Sequence, residues 1–181
     1  MSDVLKIIFV GPPGAGKSTA IRAISDHPPV STDVPASDES RLTTVALDFG
    51  EMALDDGEVL RLYGVPGQGR FEFIWPIISE GAIGALFFID ARHPTPLDVL
   101  DGYLESFADT IRQVTSLLVI THGDHAAHGF DSLKLIRHIR SKGLEMNITQ
   151  IDPRQRTDVL FALNMLLESL PNTATGARDA A

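Results

Sequence analysis

The sequence predicts an α/β fold of three layers, helices on both faces of a six-stranded, mostly parallel sheet with about five helices. Two observations carry this. Apolar runs of strand length alternate with longer amphipathic stretches, the pattern of βαβ units whose sheet is covered on both sides. The chain has 181 residues, 44% hydrophobic and 22% charged, which allows one buried core and is short for two domains of ordinary size.

The strands are read at Val4–Val10, Val45–Ala53, Val59–Val65, Ile83–Asp90, Ser116–Thr121 and Glu145–Ile151. Helical patterns cover Lys17–Ser25, Phe71–Ser79, Pro96–Gln113, Asp131–Ser141 and Gln155–Leu170, several opening on Ser, Thr or Asp. The second and third strands are joined by the acidic turn Asp55-Asp56-Gly57. So tight a connection suits an antiparallel hairpin, and one strand is expected to run against the others. Asp55, Asp56 and Glu58 accordingly read as turn residues rather than as an acid–base pair. Residues 27–42, with Pro28, Pro29 and Pro35, show neither periodicity, and structureless loops of such length inside a compact domain are functional or mobile. Residues 1–171 are expected to form one domain. Residues 172–181 lack an apolar anchor and are expected to be disordered.

Charge and composition exclude several classes of function. The formal net charge is −9 and no dense basic run occurs, so nucleic acid and anionic membrane are poor partners. Without cysteine there is no disulfide, thiolate nucleophile or zinc–thiolate site, which fits a reducing cytoplasm. The apolar run Val4–Val10 carries Lys6 and falls far short of the roughly 20 residues of a spanning helix. It lacks a secretory cleavage pattern. No glycine at position 2 and no cysteine near the end provide for lipidation, so direct membrane insertion is not expected.

The decisive stretch is Gly11-Pro12-Pro13-Gly14-Ala15-Gly16-Lys17-Ser18-Thr19, between the first strand and the first helix. It satisfies G-x-x-x-x-G-K-[ST] in the strand–loop–helix setting that this motif requires, and makes the fold a P-loop nucleoside-triphosphatase fold. Glycines let successive N–H groups turn toward one phosphate, and the helix N-terminus adds partial positive charge. Lys17 is expected to reach the β- and γ-phosphates, and the Ser18 hydroxyl to bind Mg²⁺. This loop is common to GTPases and to nucleoside-monophosphate kinases and does not separate them.

Further residues do. Gly64-Val65-Pro66-Gly67-Gln68-Gly69-Arg70-Phe71 resembles the switch II region of small GTPases, which implies that the Gly67 amide senses the γ-phosphate and that Gln68 orients the attacking water. Thr44, before the second strand, stands where small GTPases place the switch I threonine that closes over Mg²⁺. Thr44-Val45-Ala46-Leu47-Asp48-Phe49, taken with Val65-Pro66-Gly67-Gln68, resembles the bacterial polarity GTPases of gliding motility, the MglA type, from Leu5 to about Leu170.

That resemblance implies GTP and GDP as ligands, Mg²⁺ as cofactor, slow hydrolysis, a regulatory partner of the roadblock type, and a role in cytoplasmic signalling or cell polarity. The family's Asn-Lys-x-Asp is represented by Thr121-His122-Gly123-Asp124, with only Asp124 retained. A carboxylate there accepts from guanine N1–H and N2–H₂, which adenine cannot match, and His122 could stack on the base. Asp152, in Ile151-Asp152-Pro153-Arg154, stands where the family has Ser-Ala-Lys and completes the expected nucleotide-binding set. Gly64 replaces the aspartate that holds a magnesium-bound water, as it is also replaced in the MglA type, and weaker magnesium binding is expected.

Other features admit two readings. Phe71, Phe73 and Trp75 are either core residues or an effector surface beside a nucleotide-sensitive loop. His122, His125 and His128 are solvated histidines or, less simply, metal ligands. Arg41 is a solvated loop residue or an arginine finger. The rival functions are a phosphotransferase of the nucleoside-kinase class, which would need an arginine-rich lid, and a nucleotide-binding module without hydrolysis.

Overall fold

The computed structural model of the chain describes residues 5–28, 30–35, 44–54, 57–67, 69–128 and 130–171. Among these, seven strands form one sheet in the order β2-β3-β4-β1-β5-β6-β7. They are β1 (Leu5–Val10), β2 (Val30–Pro35), β3 (Thr44–Ala53), β4 (Val59–Gly64), β5 (Gly84–Asp90), β6 (Thr115–Thr121) and β7 (Asn147–Gln150). The helices are α1 (Lys17–Ile24), α2 (Trp75–Ser79), α3 (Pro96–Ser106), α4 (Ala108–Gln113), α5 (Ser132–Ser141) and α6 (Arg156–Glu168), with 3-10 helices at Gly69–Ile74 and Gly123–His125.

The central strands show why the apolar runs are continuous rather than alternating. On β1, Ile7 and Phe9 join one cluster, which includes Ile21 and Ile24 of α1 and Val159, Leu163 and Leu166 of α6. Ile8 and Val10 join the other, with Trp75, Leu100, Tyr103, Phe107, Leu135 and Ile139. On β5 and β6 alternate residues divide in the same way. Side chains of period two therefore feed both faces of the sheet, giving the three layers that the sequence predicts. Each such fully buried aliphatic or aromatic side chain contributes roughly 1.5–3 kcal/mol.

The hairpin expectation holds: β3 pairs antiparallel with both β2 and β4, while β1, β4, β5, β6 and β7 are parallel neighbours. The turn between β3 and β4 is closed by Gly57 N–H to Leu54 O at 3.0 Å and Leu54 N–H to Glu58 O at 2.9 Å.

Three differences from the sequence reading have physical causes. Part of the stretch expected to be structureless is β2, a seventh strand, lying at the sheet edge, where Pro35 is tolerated because its missing N–H interrupts no inner ladder. The expected helix Pro96–Gln113 breaks at Phe107 (φ −106°, ψ 19°), whose ring is buried against Trp75 at 4.8 Å. Pro76 sits in the first turn of α2, where its absent donor costs nothing, and the preceding residues wind as a 3-10 helix instead of extending it.

Strand order fixes where a ligand goes. β1 lies between β4 and β5, so the chain turns from one half of the sheet to the other there. The crevice at the carboxyl ends of the strands, at this switch point, is the binding position of open α/β sheets.

Candidate functional site

A cleft of ≈ 970 Å³ opens at that crevice, lined by Pro13, Gly14 and Gly16–Thr19, across Asp48 and Gly64–Gly67, to Arg92, His122–His125 and Gln150–Arg154. Its volume lies at the upper end of the range typical of ligand pockets. Of the residues expected to bind nucleotide, Pro13, Gly14, Gly16, Lys17, Ser18, Thr19, Gly67, His122, Asp124 and Asp152 line it. Gly11 and Ala15 are buried beneath the same loop.

The loop itself is held from both sides. Gly16, immediately before α1, has left-handed geometry (φ 95°, ψ 7°), and a Cβ there would stand 2.7 Å from Pro153 Cγ, so a side chain would strike the β7–α6 connection. Thr121, fully buried at the end of β6, donates its hydroxyl to Ala15 O at 2.9 Å. Lys17 is buried, and its ammonium donates to Gly11 O at 2.6 Å and to Pro12 O at 2.8 Å. Burial pulls its pKa down to about 8, with Asp48 acting in the opposite direction. The Ser18 hydroxyl donates to the Asp48 carboxylate.

The loop after β4 is pressed against this one. A Cβ on Gly67 would lie 2.3 Å from Gly11 O and 2.8 Å from Pro13 N, so only glycine fits. Tyr103 donates its hydroxyl to Gly67 O at 2.6 Å, and the Trp75 indole donates to Pro66 O at 3.0 Å. Burial pushes the Tyr103 phenol up to about 12, with Glu72 adding to the shift. Of the three aromatics of the motif, Phe71 and Trp75 are core, and Phe73 is 63% exposed. Gln68, Arg41, Asp55 and Asp56 lie outside the described residues. Thr44 opens β3, its backbone paired with Pro35, and its side chain lies outside the described set.

At the far end, His122 follows β6 with φ 56°, and its Nδ1 stands 3.3 Å from Asp90 Oδ1 without the alignment of a hydrogen bond. It is therefore packed against a carboxylate rather than fully solvated. His125 Nε2 is 3.4 Å from Asp124 Oδ2, and His128 is exposed. Asp124 itself is 68% exposed. Two arginine–aspartate pairs flank it: Arg92 with Asp90 at 2.6 Å, and Arg154 with Asp152 at 2.7 Å. Burial works to raise the Asp90 carboxyl, but hydrogen bonds from Arg92 and the nearby His122 hold it below its usual range. Hydrogen bonds from Arg154 bring Asp152 down to about 2.

Asp48, Arg92, Arg154 and Thr121 are the site residues that sequence reasoning missed. Asp48 stands in the run Thr44–Phe49 but the sequence reading gives it no role there, and the pairing of β3 with β4 brings it to the cleft.

No protein-family model matches the chain. It is 27% identical to the human Ras-related protein Rab-40B over 117 residues, 64% of this chain and 40% of that protein. It is 26% identical to intraflagellar transport protein 22 of Chlamydomonas reinhardtii over 108 residues, 58% of this chain and 54% of that protein. With an uncharacterized protein of Methanocaldococcus jannaschii it shares 29% identity over 89 residues, 49% of this chain and 53% of that one. The chain thus spans about half the length of the relatives it matches, or less. Among solved structures, the bacterial selenocysteine-specific elongation factor EF-Sec superposes with a TM-score of 0.64 at 19% identity, covering 93% of this chain and 29% of that one. The chain has the α/β P-loop fold and a Ras-related protein among its relatives.

Proposed function

We propose that the chain is a GTP-binding and GTP-hydrolysing molecular switch, acting in bacterial cytoplasmic signalling or cell polarity with a roadblock-type regulator. One observation carries the reading: a buried ammonium, Lys17, which donates to the main-chain carbonyls of Gly11 and Pro12, stands at one end of a cleft whose other end presents Asp124. An ammonium so desolvated gains most from a polyphosphate, which the amides of the loop and the start of α1 also attract. Asp124 supplies the acceptor for guanine. Gly67 lies against Gly11 and Pro13, and its amide would meet a γ-phosphate, with Gln68 next in the chain to orient water. Loss of that phosphate would release the Gly67 loop and the Thr44 segment, so that the output is a change of shape.

Magnesium fits this site. Ser18 and Asp48 bring a hydroxyl and a carboxylate, hard oxygen donors, to the phosphate end of the cleft, and Thr44 would add a second hydroxyl. The ion supplies charge neutralisation between the β- and γ-phosphates when bound. The MglA-type resemblance supports polarity signalling and the roadblock partner; the Ras-related kinship supports the switch.

A second reading, a nucleotide-binding module without hydrolysis, is favoured by Gly64, which brings no carboxylate to the site from β4. One set of measurements separates them. Thermal shifts with GTP·Mg²⁺ and ATP·Mg²⁺ are expected to favour GTP, since ligand binding to the folded state alone raises stability. Phosphate release should follow, be accelerated by a roadblock protein, and be slowed in Gln68→Ala with binding spared. Equal shifts with both nucleotides would overturn the guanine reading, and absence of phosphate release with and without the partner would leave the binding module.

A further inference from the structure

The close approach of Gly67 to the phosphate loop demands a glycine, and a glycine leaves its own backbone free to turn. That freedom is removed from outside. The indole N–H of Trp75 donates to Pro66 O at 3.0 Å, and the hydroxyl of Tyr103 donates to Gly67 O at 2.6 Å. A peptide group is planar and trans, so a carbonyl and the N–H that follows it lie in one plane and point in opposite directions. A donor on Pro66 O therefore sets the direction of the Gly67 N–H, and a donor on Gly67 O sets the plane that leaves the residue. Together the two bonds fix both torsions of Gly67.

The donors are themselves immobile. Trp75 is 4% exposed and Tyr103 8%, their rings stacked at 5.7 Å. Trp75 also stacks on Phe107 at 4.8 Å, which meets Phe87 of β5 edge-on at 5.8 Å. α3, which carries Tyr103, is tied through Asp101 to the end of α5, with His138 Nε2 at 2.6 Å and Lys142 Nζ at 2.7 Å. Packing explains the rings but not their polar atoms. Phe fills the same cluster at 87 and 107, whereas the two rings with a donor both spend it on carbonyls that bracket one glycine.

We infer that Trp75 and Tyr103 are positioning residues for the third phosphate of the nucleotide, holding the carbonyls on either side of the Gly67 Cα so that its N–H keeps one direction. This rests on the nucleotide reading above, in which that N–H meets the γ-phosphate. A donor already in place loses less freedom on meeting its acceptor than one that must first be ordered. Release of the loop has to break both bonds, so the rings favour the closed arrangement that the third phosphate completes. A diphosphate has no group for this amide, and neither ring lines the cleft. The pair therefore favours GTP over GDP without touching either.

The test compares the affinities of the full chain for GDP and for a non-hydrolysable GTP analogue, both with Mg²⁺, by titration calorimetry. Tyr103→Phe keeps the ring and its stack and deletes one donor. Its preference for the analogue over GDP should fall about 2- to 10-fold relative to wild type, the equivalent of one neutral hydrogen bond, while GDP binds as before. Trp75→Phe should lower the same preference. If the rings serve only the core, the variants will melt at lower temperature and bind the two nucleotides in the wild-type ratio, and the assignment falls. Should Trp75→Phe not fold, Tyr103→Phe, the loss of a single oxygen, decides alone. A wild-type chain that binds neither nucleotide sinks the nucleotide reading and the assignment together. Wild-type binding with an unchanged ratio in Tyr103→Phe overturns the assignment and spares the reading.

Discussion

At the phosphate end of the cleft a buried ammonium is held by main-chain carbonyls, whereas at the base end Asp124 stands largely in solvent between two arginines that are already paired with other carboxylates. The first arrangement is set by the backbone and by glycines that admit no side chain. The second depends on exposed side chains, whose hydrogen bonds compete with water and are worth less. Grip should therefore come from the phosphate end and discrimination from the base end, with grip the larger.

Three variants put that ordering at risk. Lys17→Ala removes the charge partner of the phosphates, a loss of about 2–5 kcal/mol in comparable buried pairs, or roughly 30- to 5,000-fold in affinity. Titration calorimetry with GTP·Mg²⁺ should show it, and an affinity within threefold of wild type would misplace the phosphate site. Asp124→Ala should cost GTP one or two hydrogen bonds to a charged acceptor, about 1.5–3 kcal/mol, and leave ATP untouched. The GTP-to-ATP affinity ratio should fall about 10- to 100-fold; an unchanged ratio would move discrimination elsewhere.

The smallest effect belongs to Arg154→Ala. Asp152, whose pKa is lowered to about 2 by Arg154, binds its proton more weakly in the folded state than in the unfolded one. Its contribution is present above pH ~4 and is lost as pH falls toward 2. Melting temperatures of wild type and Arg154→Ala should thus converge across that interval, by a small amount for so exposed a pair, and a constant offset would place the arginine's role elsewhere.

What could be read from the sequence follows the same division. The loop from Gly11 to Thr19 was legible because its glycines, lysine and serine stand in one contiguous stretch between a strand and a helix. The three layers were legible because strands buried on both faces are apolar without interruption. The edge strand β2 was not, since an edge position tolerates Pro35, Ser31 and Asp33. The far end of the cleft was read only in part: Arg92 and Arg154 line it and carry no spacing that announces them. Thr121 was counted as a departure, yet its hydroxyl ties the end of β6 to the phosphate loop. Asp48 lay hidden for a different reason: its partner Gly64 is distant in sequence and is opposite only in the antiparallel register.

The bond from Trp75 to Pro66 has one last consequence. Trp75 is the chain's one tryptophan, its ring stacked on Phe107 at 4.8 Å and on Tyr103 at 5.7 Å, while its indole N–H is committed to Pro66 O at 3.0 Å, one residue before Gly67. Any displacement of that loop must change the electrostatic surroundings of a single chromophore. The protein therefore carries its own optical gauge, and ultraviolet-excited emission follows the loop without a dye, a label or an added substitution.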